Sequence, residues 1–232
     1  MPKKPAVRQS KPAFLFDLDG TLIDSVYEHV LAWREALREF GIDLSTWRIH
    51  RRVGMSGGLI LNALQRETGR KLSDKEAERL RRLHGEAFLR RLGDLRPLPG
   101  ARDLLSMLTR VSVPWAIATS GKEEHARQAI KILELGERIP LITRSDVVHG
   151  KPFPDLFLAA AARLKMNINN CIVVGDSIWD LVASRRAHAL GVGLLSGGYG
   201  EEELAHAGAY RVYADPAELL RHIDELGVEA DV

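Results

Sequence analysis

Between residues 114 and 195, short apolar runs alternate with helix-like ones, and no other feature of this chain limits its fold so tightly. The run 114–118 is followed by a helical pattern at 123–135, 141–142 by 154–164, and 171–174 by 179–187, with 192–195 after it. Such alternation predicts a parallel sheet with helices covering both faces. An earlier run, Ala13-Phe14-Leu15-Phe16, has the character of a buried strand and is broken by Gly20. Directly behind it the alternation stops. Val26, Val30, Trp33, Leu37 and Phe40 recur at helical steps, and Gly41 stands where such a helix should end. Residues 45–92 are helical throughout. Leu59, Leu61 and Leu64 mark one segment, and Leu80, Leu83, Ala87 and Leu92 mark another, opened by a capping-box pair, Ser73 and Glu76. The stretch 93–100, with two glycines and two prolines, reads as a linker. The expected architecture is a doubly wound α/β core, residues 1–24 and 94–232, interrupted by an all-helical cap at 25–93.

Composition narrows the class of function. With 33 Lys and Arg against 31 Asp and Glu, the net charge of +2 provides no dominant basic field for nucleic acid. No apolar run approaches the ~20 residues of a membrane span. One cysteine, Cys171, excludes an internal disulfide and fits a reducing compartment. The basic, polar residues 1–12 are expected to be a frayed tail and not a secretion signal. A cytoplasmic protein acting on a small molecule is expected, with its oligomeric state open.

Ligands of open parallel sheets bind beyond the carboxyl ends of the strands. The residues following each apolar run are therefore the candidate site. The first run leads into Asp17-Leu18-Asp19-Gly20-Thr21, the second into Thr119-Ser120-Gly121, and the fourth into Gly175-Asp176-Ser177-Ile178-Trp179-Asp180. Gly150-Lys151-Pro152 precedes a helix and adds one fixed positive charge. Paired carboxylates are costly to bury without a counter-charge. Oxygen donors with no histidine or cysteine among them favour a hard cation, Mg²⁺. Hydroxyls and free amides at a helix start suit an anion. Mg²⁺, a lysine and such amides together make a place for a phosphate, and a carboxylate there can attack phosphorus while a second one moves the proton.

Four segments, FDLDGT (16–21), AIAT (116–119), GKPFPD (150–155) and VVGDSIWD (173–180), appear in the order found in the haloacid dehalogenase superfamily of phosphohydrolases, which this sequence resembles over residues 14–180. The resemblance implies a Rossmann-like core with a mobile helical cap. By position it implies Asp17 as nucleophile and Asp19 as general acid and base. It implies a metal held by the Asp17 carboxylate, the Asp19 backbone carbonyl and Asp176, with Asp180 orienting metal-bound water. Thr119 and Lys151 would bind the phosphoryl oxygens, with amides near Leu18, Asp19 and Ser120 and the adjoining Gly20 and Gly121.

In the cap, His29 falls where mutases resembling β-phosphoglucomutase carry a histidine linked to cap closure. Trp33, one turn on, is expected to be a core residue. Arg52 and Ser56, in the glycine-rich loop 51–58, are candidates for reaching the leaving group. The pairs Arg81-Arg82 and Arg90-Arg91 are expected on solvated faces, and Cys171 in the interior. The expected function is that of a Mg²⁺-dependent phosphatase, similar to phosphoglycolate phosphatases, that hydrolyses small phosphomonoesters through an aspartyl-phosphate. A dehalogenase would lack the Asp19 equivalent, and the phosphonate-hydrolysing branch has alanine there. The competing reading is a sugar-phosphate mutase. Against it stand Gly175, where those mutases have a glutamate, and Gly57, near where they place a cap arginine. A non-catalytic binding module should have lost a charged group, and none is missing.

Overall fold

A computed structural model describes residues 11–136 and 139–229; the tail expected at the N-terminus lies mostly outside them. The order is β1 (Ala13–Phe16), β2 (Ile23–Asp24), α1 (Val26–Glu39), α2 (Thr46–His50), α3 (Gly57–Thr68), α4 (Asp74–Leu89), β3 (Arg96–Pro97), α5 (Ala101–Arg110), β4 (Trp115–Ala118) and α6 (Glu123–Ile130). It continues with β5 (Leu141–Ile142), α7 (Asp155–Arg163), β6 (Cys171–Gly175), α8 (Ile178–Ala187), β7 (Leu190–Leu194), α9 (Glu201–Ala207), β8 (Ala209–Tyr213) and α10 (Pro216–Arg221). Six strands form a parallel sheet in the order β5-β4-β1-β6-β7-β8. The doubly wound α/β expectation therefore holds. Among the described residues no helix is long and apolar enough to cross a membrane.

β1 illustrates why the sheet is buried on both sides. Phe14 and Phe16 point into one core with Leu104, Leu108 and Ile117, while Ala13 and Leu15 point into the other with Phe157 and Val173. This period-two division is what a central strand covered on both faces requires. Cys171 is buried in the second core, as expected. The helices α1–α4 have an apolar cluster of their own, built on Val30, Trp33, Leu37, Leu61 and Leu80. Both capping-box hydrogen bonds between Ser73 and Glu76 are present at the start of α4.

Two elements differ from the sequence expectation. α5 follows the expected linker directly and buries Leu104, Leu105 and Leu108. Its start is disguised by Gly100, which has φ +74° and admits the backbone of Ala217 so closely that a Cβ would lie 2.4 Å from it. β7 begins at Leu190 instead of 192, because Gly191 and Gly193 hide the strand from an apolar count while making room for Leu181 and Leu204. The linker itself is partly ordered as β3, which pairs antiparallel with β2. The two crossings between core and helical insertion thus run side by side.

Candidate active site

The strand order brings the candidate residues together. β1 lies between β4 and β6, with Phe16 in register with Ile117 on one side and Val174 on the other. Asp17, Thr119 and Asp176 therefore emerge next to one another at the carboxyl edge, where the chain turns from one half of the sheet to the other.

Asp17 is almost wholly buried and forms an ion pair with Lys151. Burial pushes its carboxyl up to about 7 despite Lys151, and the charges of Asp180 and Asp19 add to the rise. Lys151 has no exposed surface, and its Nζ is also 2.7 Å from Asp180 Oδ1. Burial opposes its charge, but Asp17 and Asp180 hold the ammonium above the usual lysine range. The other oxygen of Asp180 accepts from the Ser177 hydroxyl at 2.5 Å and the Ser177 amide at 3.2 Å, fixing the start of α8. Asp180 thus supports Lys151 and a helix terminus at once.

Asp176 accepts a 3.0 Å hydrogen bond from the Thr21 hydroxyl. Its carboxylate is gripped by backbone. A Cβ at Gly197 would stand 1.8 Å from Asp176 Oδ2, and one at Gly20, which has φ +85°, would stand 2.5 Å away. Burial, then the charges of Asp180 and Asp17, pushes the Asp176 carboxyl well above its ordinary value. Asp17, Asp176 and Asp180 each offer an oxygen, all within 4.8 Å of one another. Three buried carboxylates against one ammonium leave an excess of negative charge, and the donor set is all oxygen. Both facts fit a hard divalent cation.

Asp19 turns the other way, toward the helical insertion. It accepts from Ser25 Oγ at 2.7 Å and faces His29 Nε2 at 3.2 Å. Burial works against its charge, but His29 and Ser25 hold its carboxyl below the usual range. Thr119 Oγ1 accepts from the Gly121 amide at 3.0 Å, and Ser120 Oγ donates to the Gly54 carbonyl of the insertion at 3.3 Å.

Asp17, Leu18, Asp19, Thr119, Ser120 and Gly121 floor a cavity of about 460 Å³ between core and insertion. His29, Trp33, Val53, Met55, Ile60 and Phe88 are among its other walls. Trp33 is buried in the insertion's core as expected, and it also faces this cavity.

Six candidates do not line the cavity: Lys151, Asp176 and Asp180 lie buried around Asp17, and Arg52, Ser56 and Gly20 are engaged elsewhere. Arg52 turns its guanidinium to the carbonyl of Arg48 and to Glu67, a carboxylate it shares with Arg48. Ser56 is buried against Gly150, with its amide donating to the Lys151 carbonyl at 3.3 Å. Gly20 serves Asp176 from below. Conversely, Arg81 was expected on a solvated face, yet it lines the cavity and pairs with Glu78 at 2.8 Å.

The walls also include His84, Lys122 and His125, for which the motifs gave no sign. His84 had a signal: it lies four residues from both Leu80 and Phe88, so it falls on the buried stripe of α4. Gly197 had none, because its importance is a distance to Asp176.

The model of the haloacid dehalogenase-like hydrolase family matches residues 11–188. Hexitol phosphatase A of Escherichia coli is 36% identical over 167 residues, 71% of this chain and 74% of that protein. Phosphoglycolate phosphatase of Neisseria meningitidis is 31% identical over 202 residues, 83% of each. A crystal structure of a hydrolase from Pseudomonas syringae, 52% identical, superposes with a TM-score of 0.91 over 93% of this chain and 99% of that one. With the strand order, the four motifs and the family model in agreement, this chain belongs to the haloacid dehalogenase-like hydrolases.

Proposed function

We propose that the protein is a Mg²⁺-dependent phosphatase of small phosphorylated metabolites, working through an aspartyl-phosphate on Asp17. Residues 25–93 act in this reading as the cap that closes over the substrate. The observation that carries it is the division of labour between two aspartates two residues apart. Asp17 lies in the buried carboxylate cluster with Lys151, while Asp19 turns to a hydroxyl and an imidazole.

Asp17 attacks phosphorus, and the bond from phosphorus to the ester oxygen breaks. Asp19 gives its proton to that oxygen as it leaves. Water then attacks the aspartyl-phosphate, Asp19 takes the proton back, and phosphate departs from a restored Asp17. Thr119 and the amides of Leu18, Asp19 and Ser120 hold the phosphoryl oxygens, and Lys151 offsets the charge of the nucleophile against an anionic substrate. Asp17, Asp176 and the Asp19 carbonyl would hold Mg²⁺, which would supply further positive charge to the transferring group.

The cavity, with Trp33 and Phe88 among its walls, suits a leaving group larger than a two-carbon acid. Sugar and polyol phosphates are the substrates we favour, and phosphoglycolate is a further candidate. A phosphate-release screen over these classes and nucleotides, with and without EDTA, tests the reading. EDTA-sensitive release is the expected result. Conversion of β-glucose 1-phosphate into glucose 6-phosphate without matching free phosphate would establish a mutase instead. In that reaction the same intermediate passes its phosphoryl group to a second sugar hydroxyl. The close packing of Gly175 on Asp180 supports hydrolysis: a Cβ there would lie 2.3 Å from Asp180 Cβ, so the mutase glutamate does not fit this arrangement.

A further inference from the structure

Two histidines stand in line behind the carboxylate of Asp19. His29 Nε2 is 3.2 Å from Asp19 Oδ1, and His29 Nδ1 is 3.2 Å from His84 Nε2. A neutral imidazole donates from one ring nitrogen and accepts at the other, so each contact decides the next. Facing a carboxylate oxygen, His29 Nε2 carries the hydrogen. In the neutral ring Nδ1 is then a lone pair, and the nitrogen that reaches it is His84 Nε2.

The rings are held in these orientations by packing. His84 stacks on Trp33 with centroids 4.1 Å apart and planes 15° from parallel, and His29 stacks on Phe88 at 3.9 Å and 6°. The approach of α4 to the core depends on Gly85, where a Cβ would lie 2.4 Å from His125 Cε1. Burial, the largest cause, keeps His84 well below the usual imidazole range, which leaves it uncharged.

We propose that His84 is a positioning residue: its Nε2–H donates to His29 Nδ1, holds His29 as the Nε2–H tautomer, and so fixes a donor on Asp19 Oδ1. Asp19 Oδ2 is thereby left as the oxygen that exchanges a proton with substrate and water. The chain of donors runs from the insertion to the core, so it is complete only when α4 lies where it does here. The kinetic consequence rests on the proposed role of Asp19 in proton transfer; the tautomer does not.

The test uses the full chain, ¹⁵N-labelled and loaded with Mg²⁺, with long-range ¹H–¹⁵N correlation of the imidazole rings near pH 7.5. His29→Gln and His84→Gln assign the signals. Both rings are expected as neutral Nε2–H tautomers. A His29 found as the Nδ1–H tautomer, or as the imidazolium, overturns the proposal. The kinetic arm compares His84→Leu, which has no donor, with His84→Gln, which keeps an N–H. For p-nitrophenyl phosphate, His84→Leu should lower kcat by about tenfold with KM changed less than about twofold, and His84→Gln should recover most of the loss. Equal loss in two folded variants overturns the proposal. Should His84→Leu fail to fold, His84→Gln against wild type and the tautomer assignment still decide. If the wild type hydrolyses no phosphate ester at all, the phosphatase reading falls while the tautomer assignment stands.

Discussion

Lys151 Nζ lies 2.7 Å from Asp180 Oδ1, and neither side chain has any surface exposed to solvent. With Asp17 on the same ammonium, this is a buried triad in which one cation serves two anions. Lys151→Met should therefore abolish turnover and also destabilise the protein, by about 3 kcal/mol, because it leaves two carboxylates facing each other without a counter-charge. For a chain of this size that is a fall in Tm of roughly 6–12 °C. Calorimetry measures it, and an unchanged Tm would mean that the triad contributes nothing to stability.

Asp17→Asn keeps the shape of the side chain and, under the proposed mechanism, removes its capacity to attack phosphorus. Turnover of any substrate found in the screen should drop by at least about 10³-fold, with the circular dichroism spectrum and Tm preserved. Activity within tenfold of wild type would place the nucleophile elsewhere.

Metal removal should be visible in stability as well as in rate. Asp17 is raised to about 7 and Asp176 is also raised, both chiefly by burial, so the metal-free folded state binds protons more tightly than the unfolded chain. The contribution of these two carboxyls to stability is therefore greatest below the ordinary carboxylate value of 3.8, and that of Asp17 is lost as pH climbs through about 7. Mg²⁺ at a hundredfold excess over its Kd should raise stability by about 2.7 kcal/mol at neutral pH. Thermal scans from pH 5 to 8 with Mg²⁺ or EDTA measure this, and coincident curves would count against a cation among these carboxylates.

His84 carries the opposite pH signature. Its folded-state affinity for protons is depressed by burial, so the unfolded chain protonates first as pH falls through 6.5. Its contribution to stability is complete above 6.5 and declines below it. In Mg²⁺-loaded protein, Tm should fall between pH 7 and 5.5, and His84→Gln should flatten that slope. An identical slope in the variant would assign the pH dependence to other groups.

Gly197→Ala puts a methyl group where Asp176 Oδ2 already lies, 1.8 Å from the ideal Cβ position. The carboxylate or the loop must move. The Mg²⁺ concentration required for half-maximal activity should rise at least about tenfold, with a smaller effect on Tm. Titration calorimetry with Mg²⁺ checks it directly, and an unaltered Kd would show that the loop yields instead.

The sequence by itself determined the parallel sheet, the helical insertion and the strand ends at which the acids stand. Hydropathy period and turn residues are local properties, and Asp17, Thr119, Lys151 and Asp176 are positioned by the strands or loops that carry them. The exceptions within the fold have local causes too: glycines at 100, 191 and 193 concealed one helix start and part of one strand. Which charges meet was decided only by tertiary structure. Arg52 closes on Glu67, Asp180 on Lys151 and Ser177, Arg81 turns inward, and His84 arrives behind His29 from a helix 55 residues away. The direction of a side chain depends on how the insertion seats against the core. That seating is set by contacts such as Gly85 against His125 and Ser120 on the Gly54 carbonyl, whose partners lie far apart in the chain.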